Sequence, residues 1–204
     1  MKKIIATLLV AVASLGSTAM AGDWYIGGTL GFMHKSQTIS VVNVTNNEFS
    51  IIGVKVTTNE FSILPEVGYT FNDHWGVGGQ IGYTYTNLAG RDINNNMFNI
   101  YPYARWTFFR SSNDLIQLFL DGNVGLGLGS TSYGNNNSDT AVTYEIGVKP
   151  GIALNLTQHF SVVAHIGFLG YHGANDAAKA GGKPEYGGFN LSSENLNFGL
   201  YYTF

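Results

Sequence analysis

The sequence predicts an all-β protein, an eight-stranded antiparallel up-and-down transmembrane β-barrel, and three observations lead to this prediction. Two strand-length motifs with period-two alternation of apolar and polar residues interleave along the chain. The links that join them are alternately short and long. The chain is 14% aromatic but only 11% charged, and beyond residue 21 no segment has the roughly 18 consecutive apolar residues of a transmembrane helix.

The first element is a leader, because residues 1–21 have the pattern of a cleaved secretory signal peptide. Lys2 and Lys3 precede a short apolar core at 4–15, and Ala19-Met20-Ala21 offers the small residues of a cleavage site. We expect residues 22–204 to form one barrel domain. Cleavage removes two of the 10 basic residues and none of the 13 acidic ones, so the remaining chain has a negative net charge. Nothing in its charge therefore suggests that it binds nucleic acid. The chain has no cysteine, which excludes thiolate chemistry and disulfides.

The odd-numbered strands share one motif, in which apolar residues fill alternate positions and the other face carries a polar residue followed by a glycine. Its copies span 24–32, 75–83, 118–126 and 160–168. We predict that the polar positions form a ring inside the barrel, consisting of Thr29, Gln80, Asn123 and His165. The glycines of that face, which we expect to make room for Tyr25, Tyr101, Tyr103 or Tyr201, are Gly31, Gly82, Gly125 and Gly167.

The even-numbered strands share a second motif, which begins at Pro or Phe and continues with alternating apolar residues. Its copies span 65–71, 102–108, 150–156 and 198–204. Proline cannot donate a ladder hydrogen bond, so it is confined to edges and bulges of a sheet. We therefore expect bulges on the outer face, at one height, at Pro65, Pro102 and Pro150.

The lengths of the links and the direction in which the apolar face points complete the prediction of a barrel. Short links lie at 72–74, 110–114 and 157–159, and the long links, which we expect to be loops, lie at 33–58, 86–96, 129–141 and 170–192. A barrel interior lacks the room for so many Trp, Tyr and Phe side chains, so the apolar face points outward, as in membrane barrels. Closure also satisfies every backbone group without an edge. A secreted lipocalin-like barrel, apolar inside, is the alternative.

These features together resemble the small outer-membrane β-barrels of Gram-negative bacteria, the OmpA/OmpX-like barrels of the porin superfamily. The resemblance implies a location in the outer membrane, contact with lipid and lipopolysaccharide, periplasmic short turns and extracellular long loops. The alternating C-terminal residues are similar to the insertion signal read by the barrel assembly machinery; they are Phe198, Leu200, Tyr202 and Phe204. We expect a monomer.

The interior of an eight-stranded barrel is just wide enough for side chains to fill it. The charged residues predicted to face inward are Glu66, Arg105, Asp121, Glu145 and Lys149. Pairing Phe108 with Leu118 sets Arg105 opposite Asp121, and an ion pair is expected because an unpaired charge in a closed lumen is very costly. We interpret the network as a structural plug, with the gate of a narrow pore as the alternative.

Catalytic and metal-binding chemistry have little support in the sequence. The residues that could form a nucleophile–base pair, His172, Asp176 and Ser193, have no specific spacing. The remaining histidines lack metal-ligand spacing. We therefore expect no catalytic residue, no cofactor and no metal.

One octapeptide is copied in the first long link: VTNNEFSI at 44–51 returns as VTTNEFSI at 56–63. Folding the chain at Asn46-Asn47, which suits a two-residue hairpin turn, sets Val44 opposite Phe49 and Val42 opposite Ile51. The copy is then a hairpin projecting beyond the membrane, whose edge could recruit an extracellular protein. The first hypothesis is therefore a structural or interaction barrel with a plugged lumen. Transport of small solutes or apolar molecules, and a lipid-modifying enzyme, are the alternatives.

Overall fold

A computed structural model describes residues 22–45, 48–90, 92–134, 137–190 and 196–204. The predicted signal peptide, the turn at Asn46-Asn47 and the candidate nucleophile Ser193 lie outside these described residues. The elements are β1 (Asp23–Thr45), β2 (Glu48–Thr70), β3 (Trp75–Ala89), β4 (Ile93–Arg110), β5 (Ile116–Tyr133), β6 (Asn137–Asn155), β7 (Phe160–Ile166), β8 (Phe168–Ala174), α1 (Asp176–Ala180), β9 (Tyr186–Asn190) and β10 (Leu196–Thr203). No described helix has the length and apolar character that crossing a bilayer requires.

The strands close into an eight-stranded antiparallel barrel, as predicted. Each of β1 to β6 pairs with the next strand along the chain, β6 pairs with β7, β7 with β10, and β10 returns to β1. The seventh barrel strand is divided at Gly167 into β7 and β8, and the eighth consists of β9 and β10. Each of the eight barrel strands thus has a neighbour on each side over part of its length, although among the described residues the β9 part of the eighth pairs only with β8. The barrel has no free edge at its base.

The outward faces are apolar, and aromatic rings gather near the end with the short turns. Trp24 lies 5.1 Å from Tyr69, Trp75 lies 6.3 Å from Trp106, and Phe160 lies 5.0 Å from Tyr202, measured between ring centroids. A second, looser group of outward aromatics lies near the other end. Aromatic girdles at both interfaces are typical of membrane barrels.

The prediction that 86–96 and 129–141 are loops was wrong. β3 and β4 pair up to Leu88↔Ile93, and β5 and β6 pair up to Tyr133↔Asn137. These segments are rich in Asn, Thr and Ser, so they carry no apolar alternation. Backbone pairing needs none, because ladder hydrogen bonds join main-chain groups, and the strands continue well past the apolar belt.

The prolines do not all cause bulges. Pairing of β2 with β3 stops at Ile63↔Tyr83 and resumes in the same register at Glu66↔Gln80, so Pro65 removes ladder pairs without inserting a residue. Pro102 does the same between β4 and β5. Only at Pro150 does the register shift by one residue, where the partner strand bends at Gly167 with φ +84°.

At the base of the barrel a further bulge makes the observed register differ from the predicted one. Between β4 and β5 the register shifts between Thr107 and Phe109, so Phe109 rather than Phe108 lies opposite Leu118. The bulge lies below the charged residues, and Arg105 still pairs directly with Asp121. The predicted juxtaposition therefore holds although the turn-side pairing does not.

Candidate functional site

Arg105 is held at the centre of the lumen by two carboxylates. Its Nε donates to Asp121 Oδ1 and its terminal nitrogen donates to Asp121 Oδ2, each at 2.8 Å. The second carboxylate, Glu66, lies 3.8 Å from the guanidinium. His165 Nε2 lies 2.8 Å from Asp121 Oδ2. Arg105 is 8% and Asp121 3% exposed, so this is a buried bidentate pair, the strongest kind of ion-pair geometry.

Aromatic rings enclose the guanidinium on its remaining sides. Its central carbon lies 4.0 Å from the centroid of Phe119 and 5.3 to 5.7 Å from those of Tyr103, Tyr201 and Tyr25. The Tyr103 hydroxyl donates to Glu66 and is hydrogen-bonded to the Tyr25 hydroxyl. We call this layer the septum; its members are Tyr25, Glu66, Tyr103, Arg105, Phe119, Asp121, His165 and Tyr201.

The septum tyrosines lie over glycines of the neighbouring strands. A Cβ on Gly68 would overlap the ring of Tyr25, one on Gly78 that of Tyr103, and one on Gly27 that of Tyr201. Of the predicted inward glycines only Gly125 plays this part, for Tyr101. The prediction missed the others because each of these rings lies over a cross-strand neighbour, and the register is not visible in one strand's motif.

Two cavities lie on opposite sides of the septum. The upper chamber, about 420 Å³, has Tyr103, Asp121 and His165 in its floor. The vestibule below, about 570 Å³, is lined by Tyr25, Arg105 and Tyr201 and faces the short turns. The septum therefore divides the lumen into two compartments.

The fourth long link folds over the upper chamber. Asn175 caps α1 by accepting a hydrogen bond from the Ala178 amide, and Ala178 is fully buried with Ala141 and Ala174. Thr131 Oγ1 donates to the Ala177 carbonyl at 2.7 Å, and Lys183 Nζ lies 2.6 Å from Glu60 Oε2 on β2. We call residues 175–183 the cap, since Gly182 and Lys183 line the chamber from above.

The structure brings all five predicted lumen charges inside, in two groups. Arg105, Asp121 and Glu66 belong to the septum, while Lys149 Nζ lies 2.7 Å from Glu145 Oε1 in the chamber wall. Sequence reasoning missed the third pair, Lys183 with Glu60, and the cap itself. The segment NDAAKA does carry a helix signal, an Asn cap before an alanine-rich turn.

The predicted polar ring lies inside the barrel, and three of its four members bond to charged residues. Gln80 Nε2 donates to Glu66 at 2.7 Å, Asn123 donates to Glu145, and His165 contacts Asp121. Thr29 is buried and lines the upper chamber. These residues therefore supply hydrogen bonds to the carboxylates.

The residues considered for catalysis do not assemble into a nucleophile–base pair in the described part of the chain. His172 Nδ1 lies 3.1 Å from the Pro184 carbonyl and its ring stacks on Tyr186, while Asp176 begins the first turn of α1. No group of three His, Asp or Glu side chains among the described residues could hold a metal ion. The C-terminal Phe198, Leu200 and Phe204 lie exposed on the outer face; their role in insertion stays a prediction, as does that of Tyr202.

Comparison with known proteins agrees with this architecture. The family model described as "Outer membrane protein beta-barrel domain" matches residues 5–204. The chain belongs to this family. It is accordingly an integral protein of the outer membrane, with lipid around its apolar face. No curated protein matches the chain.

The chain is similar to three solved bacterial proteins at low identity and low TM-score. Neisserial surface protein A (NspA) is 16% identical with a TM-score of 0.47, over 88% of this chain and 93% of its own. Ail, the attachment invasion locus protein of Yersinia pestis, is 14% identical with a TM-score of 0.42, over 90% and 96%. OmpT, an outer membrane protein of Vibrio cholerae, is 14% identical with a TM-score of 0.35, over 89% and 55%.

Proposed function

We propose that this outer-membrane barrel is a non-catalytic scaffold that binds an extracellular protein through the hairpin of β1 and β2, with a lumen that does not conduct. One observation carries the proposal. β2 pairs with β3 only as far as Thr57↔Ala89, whereas β1 and β2 stay paired for nine further residues on each strand, from Gln37↔Val56 to Thr45↔Glu48. We call this part the projecting hairpin; at about 3.3 Å per residue it extends roughly 30 Å beyond β3.

The projecting hairpin has the properties of a strand-recruiting surface. The two strands pair in the register Val44↔Phe49 and Val42↔Ile51. Phe49 near the tip is 79% exposed. Over the described residues, neither β1 between 37 and 45 nor β2 between 48 and 56 has a second neighbouring strand, so each presents backbone donors and acceptors to which an extended segment could add.

The septum favours the role of a scaffold rather than that of a channel. Transport of a solute along the barrel axis would require Arg105 to leave two carboxylates and four aromatic rings, and the charge would stay buried while it moved. The cost of breaking a buried pair, about 3–5 kcal/mol, opposes such a motion. The alternative of porin-like transport therefore needs a rearrangement of the septum, and lipid modification needs a nucleophile–base pair for which the described residues offer no geometry.

Deleting residues 45–56 tests the scaffold proposal. The deletion removes one copy of the octapeptide and an even number of residues, so inside and outside positions stay unchanged. The deleted barrel should still migrate as a folded, heat-modifiable band, while cells displaying it lose adhesion to immobilised serum and matrix proteins. The single substitution Phe49→Ser is a milder variant that keeps the projecting hairpin, and it should weaken adhesion in part. Full adhesion by the deletion variant, or failure of its barrel to fold, contradicts the proposal.

A further inference from the structure

We propose that the upper chamber binds the uncharged, polyhydroxylated headgroup of a single-chain amphiphile, which enters from the outer leaflet between β1 and β10. This inference does not depend on the projecting hairpin. It combines a break in the barrel wall with the chemistry of the cavity behind that break.

The break lies in the seam that joins the first and last strands. β1 and β10 pair only from Tyr25↔Thr203 to Thr29↔Gly199. Continued in the same register, the ladder would set Leu30 opposite Phe198 and Gly31 opposite Asn197, and these described residues form no such pairs. On its other side β1 remains paired with β2 along its whole length, so among the described residues β1 lacks a paired neighbour at this height only on the side of β10.

The upper chamber reaches this interruption from the inside. Its lining includes Thr29 and Met33 on β1 and Asn197 on β10, which are the inward-facing residues at and just above the last pair. The outward residues at the same place are apolar and exposed, namely Leu30, Phe32 and Phe198. A molecule lying across the seam would therefore meet polar groups inside and lipid outside, which is the environment of an amphiphile.

The carboxylates that line the chamber are each paired with a cation, and this pairing determines the class of headgroup. Glu145 is bonded to Lys149, Glu60 to Lys183, and Asp121 to Arg105. A charged headgroup would have to compete with these pairs, whereas an uncharged one can donate to the carboxylates and accept from the amides without separating them. The walls also contain hydroxyl and amide groups, such as those of Thr84 and Asn99. This set matches a polyol.

The size of the chamber fits the same class. Its volume of about 420 Å³ lies within the range of roughly 300–1,000 Å³ for small-molecule sites. The septum forms the floor and the cap lies over the chamber, so entry at the interruption beside β10 leaves both in place. The alkyl chain would remain among the outward apolar residues, in the hydrocarbon environment that favours it.

Methionine methyl groups offer a direct readout of this site. Residues 22–204 contain two methionines, Met33 and Met97, and both line the chamber. We would express the protein with its leader, label the methionine methyls with ¹³C, and place the mature barrel in lipid nanodiscs. Octyl β-D-glucoside, added below its micelle concentration, should shift both methyl signals saturably, while free glucose and octanol leave them unchanged.

A cross-link across the seam tests the route of entry. The chain has no cysteine, so Leu30→Cys with Phe198→Cys can be joined by a disulfide or, where the gap is wider, by a short bis-maleimide. The matched control is Ile26→Cys with Tyr202→Cys, an outward pair that is already in register below the break. Joining the upper pair should weaken octyl glucoside binding at least tenfold, and joining the lower pair should not change it.

Three results would overturn the inference. One is the absence of saturable methyl shifts with octyl glucoside, which leaves a water-filled cavity. Another is an equal response to free glucose, which makes the alkyl chain irrelevant. The third is undiminished binding after the upper pair is joined, which moves the entrance away from the seam.

Discussion

The floor and the roof of the upper chamber are both closed by ion pairs, yet they are built in opposite ways. In the floor, Arg105 and Asp121 are carried by adjacent strands, are buried, and meet through two hydrogen bonds. In the roof, Lys183 is carried by a link and reaches Glu60 through one contact, with the two side chains 17% and 24% exposed. Strands fix the first pair in place, whereas the second depends on a short segment that solvent can reach.

This difference sets the energy of each closure. Removing one partner of a buried pair leaves an uncompensated charge and costs about 3–5 kcal/mol. A pair that solvent reaches contributes less, down to about 0–1 kcal/mol when it is fully exposed. The floor should therefore behave as part of the barrel core and the roof as a separable element. The following predictions test that contrast, beginning with the largest effect.

Removing the central cation should produce the largest loss of stability. Arg105→Ala leaves Asp121 and Glu66 buried without their counter-charge, so we expect the free energy of unfolding to fall by about 3–5 kcal/mol. Urea unfolding in lipid vesicles, followed by tryptophan fluorescence, measures the change. The matched control is Arg110→Ala, which breaks a solvent-exposed pair with Asp114 at 3.6 Å and should cost about 0–1 kcal/mol. Equal losses in the two variants would refute the contrast.

Removing one hydroxyl of the septum should have an intermediate effect. Tyr103→Phe keeps the ring beside Arg105 but deprives Glu66 of a donor and Tyr25 of its partner. We expect a loss of about 1–3 kcal/mol, the cost of leaving a buried polar group unsatisfied. Tyr83→Phe is the control, because its hydroxyl bonds Asn96 in an exposed position; a larger loss there than at Tyr103 would contradict the account.

Breaking the roof should change local opening more than global stability. Lys183→Ala removes the contact with the half-buried Glu60 and should lower the unfolding free energy by less than the roughly 3–5 kcal/mol expected for a fully buried pair. Amide hydrogen exchange in residues 176–183 should become faster, because this segment opens separately from the barrel. If exchange in the cap stays unchanged while the barrel is destabilised, the cap is part of the core rather than a separable element.

The smallest effect concerns the exposed pair beside the cap. The hydrogen bond from Lys179, with a second from Tyr171, holds the pKa of the Glu185 carboxyl below its usual range. A depressed pKa means that this pair stabilises the link above the carboxyl's unfolded pKa and that the contribution is lost as pH falls through the folded pKa. Lys179→Ala should raise the pKa of Glu185 in an NMR titration; an unchanged pKa would show that the pair does not form in solution.

The floor was predictable from the sequence and the roof was not, for a physical reason. Alternation assigned Arg105 and Asp121 to inward positions, and the short link between their strands brought them opposite each other. Lys183 and Glu60 are 123 residues apart, and no periodic pattern relates a link to the strand on which it folds. The same limit applies to the polar ends of β3 to β6, whose pairing depends on backbone groups rather than on apolar alternation.

A motif read from one strand alone gave two wrong expectations, one in the septum and one just below it. The glycines that admit Tyr25, Tyr103 and Tyr201 belong to neighbouring strands, and Phe108 occupies a bulge that the alternation of its own strand does not reveal. Both errors concern register, which is decided by how two strands meet.

The most direct test of the sealed lumen is the conductance of the refolded barrel in planar lipid bilayers. With the septum in place we predict no channel steps for the unmodified protein, and steps for Arg105→Ala, in which the vestibule and the upper chamber become continuous. Regular steps from the unmodified protein, unchanged by Arg105→Ala, would contradict the account.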